Sequence, residues 1–228
     1  MIPLRDTTRS RRPPLVVLFL IALNGLAFLH ELRLGDDGLE ALFARFALVP
    51  EAVPLSPGAF LAAPARYLTF LSSMFLHGGL LHLAGNLWSL WIFGDNVEDR
   101  LGHRRFLAFY LLCGLLAGMA HVAFHPTSEV PTIGASGAIS GVMGAYLFLF
   151  PRAKVLTVVP ILFYPLFLEL SAFVFLGLWF AAQLVSGWLS LRETEAATGI
   201  AFLAHVGGFA AGAVLHVFFR RREPVQGA

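Results

Sequence analysis

The chain alternates long apolar runs with short polar joints. Runs over Pro14–Leu32, Leu71–Gly94, Phe106–Phe124, Ser136–Phe150, Ala172–Leu191 and Ala201–Phe219 are rich in Leu, Val, Phe and Ala. A helix needs roughly 20 such residues to cross about 30 Å of hydrocarbon. The pattern therefore predicts six membrane-spanning helices, the fourth extending slightly or sitting in a thinned bilayer. Another apolar stretch, Val155–Leu168, contains Pro160 and Pro165 and is bounded by Lys154 and Glu169. It reads as an interfacial or half-buried connection. The long Arg33–Tyr67 connection mixes charges with Leu39, Leu42, Phe43 and Phe46, the pattern of helix lying in a membrane interface. It fits a functional rim and a structural brace equally. The predicted fold is an all-α polytopic membrane protein, one domain over residues 1–228, with a basic segment 1–13 and a tail 220–228.

Composition agrees with lipid as the main solvent. Hydrophobic residues make up 57% and charged ones 13%, where a soluble domain carries about 25% charged. Twelve of the sixteen Lys/Arg residues fall before the first span, in the second and fourth connections, or after the last span. With six crossings this places both termini in the cytoplasm. These basic residues sit at segment ends rather than in a patch, so no nucleic-acid partner is implied. The single Cys113 excludes an internal disulfide, and the histidines lack an acidic or thiolate partner set for a metal. Gly25-x-Ala27 lies within the first apolar run rather than after it, so that span does not read as a removable signal peptide.

Polar groups inside the runs are the candidates for chemistry. His82, Gly85, Asn86 and Ser89 share one face of the second span at i, i+3, i+4 and i+7. Interhelical hydrogen-bonding is their bland reading. Gly134, Gly137, Gly141 and Gly144 make a glycine face on the fourth span, with Ser136 at its start. His205 rides on the face of the sixth span that carries Gly208-x-x-x-Gly212, a spacing that brings backbones close. Ser136 and His205 both lie near the N-terminal end of their spans. They reach the same depth only if those spans are parallel, which requires Val155–Leu168 not to cross. A hydroxyl, an imidazole and a few hydrogen-bond donors at one depth suit acyl transfer. No carboxylate occupies the middle of a span, so a Ser–His dyad oriented by packing is expected.

The segments "GASGAISGVMGAY", "FLHGGLLHLAGNLW" and "AHVGGFAAG", taken in this order, resemble the rhomboid intramembrane serine proteases, and the likeness covers essentially the whole chain. The resemblance implies Ser136 as nucleophile and His205 as base, with His82, Asn86 and the Ser136 backbone as oxyanion hole. It also implies a six-helix bundle with a water-filled cavity opening outward, and a first outer connection packed partly into the membrane. Substrates would be single-span transmembrane proteins in a bacterial inner (plasma) membrane, with no cofactor. Two positions depart from the pattern: Ala65 precedes Arg66 where many members have Trp, and Ser140 stands where some place an aromatic residue against the histidine. An inert rhomboid-like protein that binds transmembrane clients is the main alternative. A small transporter would require inverted repeats, of which the sequence has no trace.

Overall fold

The computed structural model describes residues 1–53, 63–161, 164–191 and 201–221. Part of the Arg33–Tyr67 connection therefore lies outside the described residues, as do 192–200 and the end of the tail. The helices are α1 (Leu15–Glu31), α2 (Asp36–Phe46), α3 (Pro64–Ser72), α4 (Leu80–Leu101), α5 (His103–Phe124), α6 (Ser136–Leu149), α7 (Ala172–Ser190) and α8 (Phe202–Phe219). Of these, α5, α7 and α8 are each long and apolar enough to cross a membrane. The α3 segment and α4 pass the same test together, but they are bent by 82° at the break between them. The apolar helices α1 and α6 are shorter. At 1.5 Å per residue α6 covers about 21 Å, less than the ~30 Å of a typical hydrocarbon core.

The second expected span thus begins later than Leu71. Gly78 and Gly79 interrupt the apolar run, and α4 starts at Leu80 with Gly79 as its extended cap. Glu31, buried at the end of α1, fastens this break by accepting the His77 backbone N–H at 3.1 Å. A second buried carboxylate works at the other end of α1. Helix α1 leaves its first N–H groups without intrahelical partners, and Glu98 of α4 accepts those of Val16 and Val17 at 2.9 and 2.8 Å.

Helix α6 is the axis of the bundle. Every residue from Ala138 to Tyr146 is buried, which suits a helix apolar on all sides. Its core partners include Phe93 and Val97 of α4, Phe109 and Cys113 of α5, Phe175 of α7 and Phe209 of α8. The α6–α8 contact is the most extensive between helices, and its glycines explain why. A Cβ on Gly208 would lie 2.0 Å from the Gly137 carbonyl oxygen, and one on Gly212 would lie 1.8 Å from that of Gly141. On α6, a Cβ at Gly144 would come 2.2 Å from the Phe209 carbonyl. The outer surface of the bundle exposes Leu18, Phe19, Leu26, Leu178, Trp188, Val214 and Phe218, as expected of side chains that face lipid.

The expectation of an all-helical chain needs one correction. Val155–Leu168, read as an interfacial or half-buried connection, supplies most of two β-strands, and the basic N-terminal segment contributes a third. Strands β1 (Ile2–Asp6), β2 (Lys154–Ile161) and β3 (Tyr164–Ser171) make an antiparallel sheet in that order. Ile2 lies opposite Val158, and Pro160 opposite Pro165. Asp6 anchors the first strand by accepting hydrogen bonds from Tyr146 of α6 and from Asn96 of α4. The β2–β3 pair returns the chain to the end of the bundle it left, so α6 and α8 run the same way.

The described part of the first connection before residue 54 is fastened to the bundle. Leu48 and Thr132 exchange backbone hydrogen bonds of 3.1 and 2.8 Å, and Ser72 Oγ donates to the Phe46 carbonyl. Helix α2 half-buries Leu39, Leu42 and Phe43 on one face.

Candidate active site

Three short elements set the site. The segment before α6 turns at Gly134, whose φ of +120° favours glycine. A side chain there would also collide, because its Cβ would lie 2.8 Å from the His82 ring and 3.5 Å from Asn86 Nδ2. This close pass delivers Ser136 as the first residue of α6. On α8, His205 sits one turn in from the start, beside the glycines that let the two helices touch. Ser136 Oγ and His205 Nε2 are 2.8 Å apart.

The other ring nitrogen is also held. His205 Nδ1 lies 2.8 Å from Oε1 of Gln183 on α7. An amide oxygen accepts, so Nδ1 carries the proton and Nε2 presents its lone pair to the Ser136 hydroxyl. Trp179, one turn before Gln183 on the same face, lies against the imidazole with ring centroids 6.1 Å apart. The packing expected from the sequence to orient His205 is therefore joined by an amide acceptor that the sequence pattern does not single out. Its one local signal is an amide within a membrane run, four residues after a Trp.

His82 and Asn86 project from α4 toward the same space. With Ser136 and His205 they line a cavity of about 600 Å³, walled also by Gly134, Gly137 and Ala204. Asn86 is buried, and among the described residues its Nδ2 has no hydrogen-bond partner. Buried polar groups are normally paired, so this amide is a donor waiting for an acceptor. The first-turn N–H groups of α6 have no intrahelical acceptor and face the same need. Ser136, His205, His82 and Asn86 thus meet at one cavity, and Gly134, Gly137, Gly141, Gly144, Gly208 and Gly212 lie around it or along the α6–α8 seam. Ser140 does not join them: its Oγ donates back to the Ser136 carbonyl at 2.7 Å, the usual habit of a helical serine.

A hydroxyl with a lone-pair nitrogen at hydrogen-bond distance, beside unpaired donors, can support nucleophilic attack on a carbonyl. The Rhomboid domain family model matches residues 64–222, most of the chain and all of this site. The chain belongs to the rhomboid family. It is 34% identical over 140 residues to the "Rhomboid protease GluP" of Bacillus subtilis, covering 61% of this chain and 25% of that protein. It is 29% identical over 172 residues to the "Presenilin-associated rhomboid-like protein A, mitochondrial" of Danio rerio, covering 72% of this chain and 42% of that protein. The "Rhomboid protein 1, mitochondrial" of Saccharomyces cerevisiae is 31% identical over 93 residues, covering 39% and 27%. The matches span less than half the length of each of these relatives. The rhomboid family contains serine proteases that act within membranes, and the apolar helices of this member make it an integral membrane protein.

Proposed function

We propose that this rhomboid is an intramembrane serine endopeptidase that cleaves the transmembrane segments of single-span membrane proteins. The observation that carries the reading is the relay Ser136–His205–Gln183, with both contacts at 2.8 Å. Ser136 Oγ attacks the scissile carbonyl carbon while its proton passes to His205 Nε2. The carbonyl oxygen becomes an oxyanion and takes hydrogen bonds from Asn86 Nδ2, His82 and the Ser136 backbone N–H. As the tetrahedral species collapses, the C–N bond breaks and the leaving amine takes the proton from His205. Water then attacks the acyl-enzyme ester by the same route in reverse, releasing the acid and restoring the Ser136 hydroxyl. Gln183 holds Nδ1–H throughout and supports the ring while it is positively charged.

In this reading the chain crosses the membrane six times with both termini in the cytoplasm, in a bacterial inner membrane. The cavity then opens toward the outer side, where water for hydrolysis is at hand. The test is cleavage of a reporter single-span substrate in liposomes by wild type, Ser136→Ala and His205→Ala. Product from wild type alone, with all three proteins folded, supports the proposal. Cleavage that survives Ser136→Ala would refute it. Client binding by wild type with no product would instead favour an inert client-binding rhomboid.

A further inference from the structure

The end of the bundle remote from Ser136 holds a second cavity, of about 700 Å³. Six arginines from three separate parts of the chain line it: Arg9, Arg11 and Arg12 before α1, Arg100 at the end of α4, and Arg220 and Arg221 after α8. Asp99 is the one carboxylate in its lining, and it already accepts the Arg11 backbone N–H at 3.1 Å. Six arginines against one carboxylate give the lining a strongly positive potential, which attracts anions.

The arrangement is built, not a chance meeting of tails. The Arg221 backbone N–H donates to the Arg100 carbonyl at 3.1 Å, which ties the end of α8 to the α4–α5 turn. That turn depends on Gly102, at φ +84°, and the Arg221 guanidinium lies directly over it: a Cβ there would come 2.1 Å from the guanidinium. Arg105 donates to the Arg220 carbonyl at 3.2 Å. The Arg100 guanidinium stacks over the Phe150 ring at 5.4 Å. Charge clustering alone would be met by arginines scattered over loops; here hydrogen bonds draw them to one cavity.

We propose that this cavity binds the phosphate-bearing headgroup of an anionic phospholipid. Guanidinium forks match phosphate oxygens bidentately, and the volume falls within the range of about 300–1,000 Å³ typical of ligand pockets. Its position selects lipid over free phosphate. The cavity lies where α6 and α8 end, which the proposed six-span arrangement puts at the level of headgroups, and apolar Leu149 and Phe150 form part of its wall. A soluble anion has no use for that wall, whereas a lipid's glycerol region does. Basic pockets at the ends of membrane helices recognise anionic headgroups on this basis.

Native mass spectrometry on the full chain in neutral detergent tests the site, with phosphatidylglycerol and phosphatidylcholine supplied in equal amounts. The expected result is one phosphatidylglycerol retained per chain, favoured over phosphatidylcholine by on the order of tenfold or more. Arg11→Gln/Arg221→Gln should lose that preference, while Arg33→Gln/Arg45→Gln, equal in charge change but at the other end, should keep it. All four positions are exposed, and the single variant Arg9→Gln gives an independent reading if the double variant melts early. Equal retention of both lipids, or a pocket variant that binds like wild type, overturns the proposal. Inorganic phosphate that displaces the lipid at matched concentration assigns the cavity to a free anion and also overturns it.

Discussion

Replacing Gln183 by Leu isolates the third member of the relay. The change keeps most of the side-chain volume on α7 and removes the oxygen that accepts His205 Nδ1–H at 2.8 Å. An imidazole N–H is then left buried without a partner, a loss of about 1–3 kcal/mol. The loss is larger in the transition state than in the ground state, because a hydrogen bond to a charged ring is roughly twice as strong as one to a neutral ring. The tautomer that offers Nε2 to Ser136 is no longer fixed either. Taking roughly 1–3 kcal/mol as the differential effect, kcat should fall by about 5- to 150-fold. KM should change little, since Gln183 is absent from the residues lining the cavity beside Ser136. Gln183→Glu restores an acceptor at the same reach and should recover most of the lost rate. The assay is steady-state cleavage of a transmembrane reporter in liposomes, with fluorophosphonate labelling of Ser136 as a substrate-independent readout. A Leu variant with wild-type kcat, or a fall in the Glu variant equal to that in Leu, would refute an orienting role for this amide.

Further outcomes follow from the same geometry. Asn86→Ala should lower kcat by about a hundred- to a thousandfold with KM nearly unchanged, read in the same assay; an effect on KM alone would remove Asn86 from the oxyanion site. Gly212→Ala places a Cβ 1.8 Å from the Gly141 carbonyl oxygen and should destabilise by about 1–3 kcal/mol or more. Gly25→Ala, with nothing within 4 Å of the added Cβ, should be neutral or stabilise by up to about 1 kcal/mol; thermal unfolding in detergent compares the two. Burial raises the Asp6 carboxyl above its ordinary value, outweighing the hydrogen bond from Tyr146. A carboxyl raised in the folded state contributes stability below its unfolded value, and that contribution is lost as pH rises through the folded one. Protection of the Leu4, Arg5 and Asp6 amides, corrected for intrinsic exchange rate, should therefore weaken as pH rises across that window, and Asp6→Asn should flatten the dependence.

The parts legible in sequence were those with local signatures. Apolar runs marked the helices, and the i, i+3, i+4 spacings put His82 with Asn86 and His205 with Gly208 on shared faces. The parallel course of α6 and α8 also followed from requiring Ser136 and His205 to share a depth. What escaped has its cause in distance along the chain. A strand at Ile2–Asp6 shows no strand signal of its own, since its partner at Lys154–Ile161 lies on the far side of α6 in sequence. The paired prolines Pro160 and Pro165 argued against helix but could not name the alternative. The 82° bend before α4 hid because hydrophobicity is nearly continuous from Leu71 to Gly94 and only two glycines mark the corner. Gln183 escaped because an amide in an apolar helix draws less notice than a charge.

The pairing of β1 with β2 sets a timetable for the protein's own making. Ile2 leaves the ribosome well before the residue it pairs with, Val158, which is not made until α6 is complete. Synthesis at about 5–20 residues per second leaves the first strand waiting for seconds beside a chain that is already entering the membrane. Its docking onto Tyr146 and Asn96 is thus a closing step that joins an early strand to elements made after it. A bulky folded domain fused just ahead of Ile2 would meet the sheet at that moment, and the harm would appear in the yield of finished protein before it appeared in its activity.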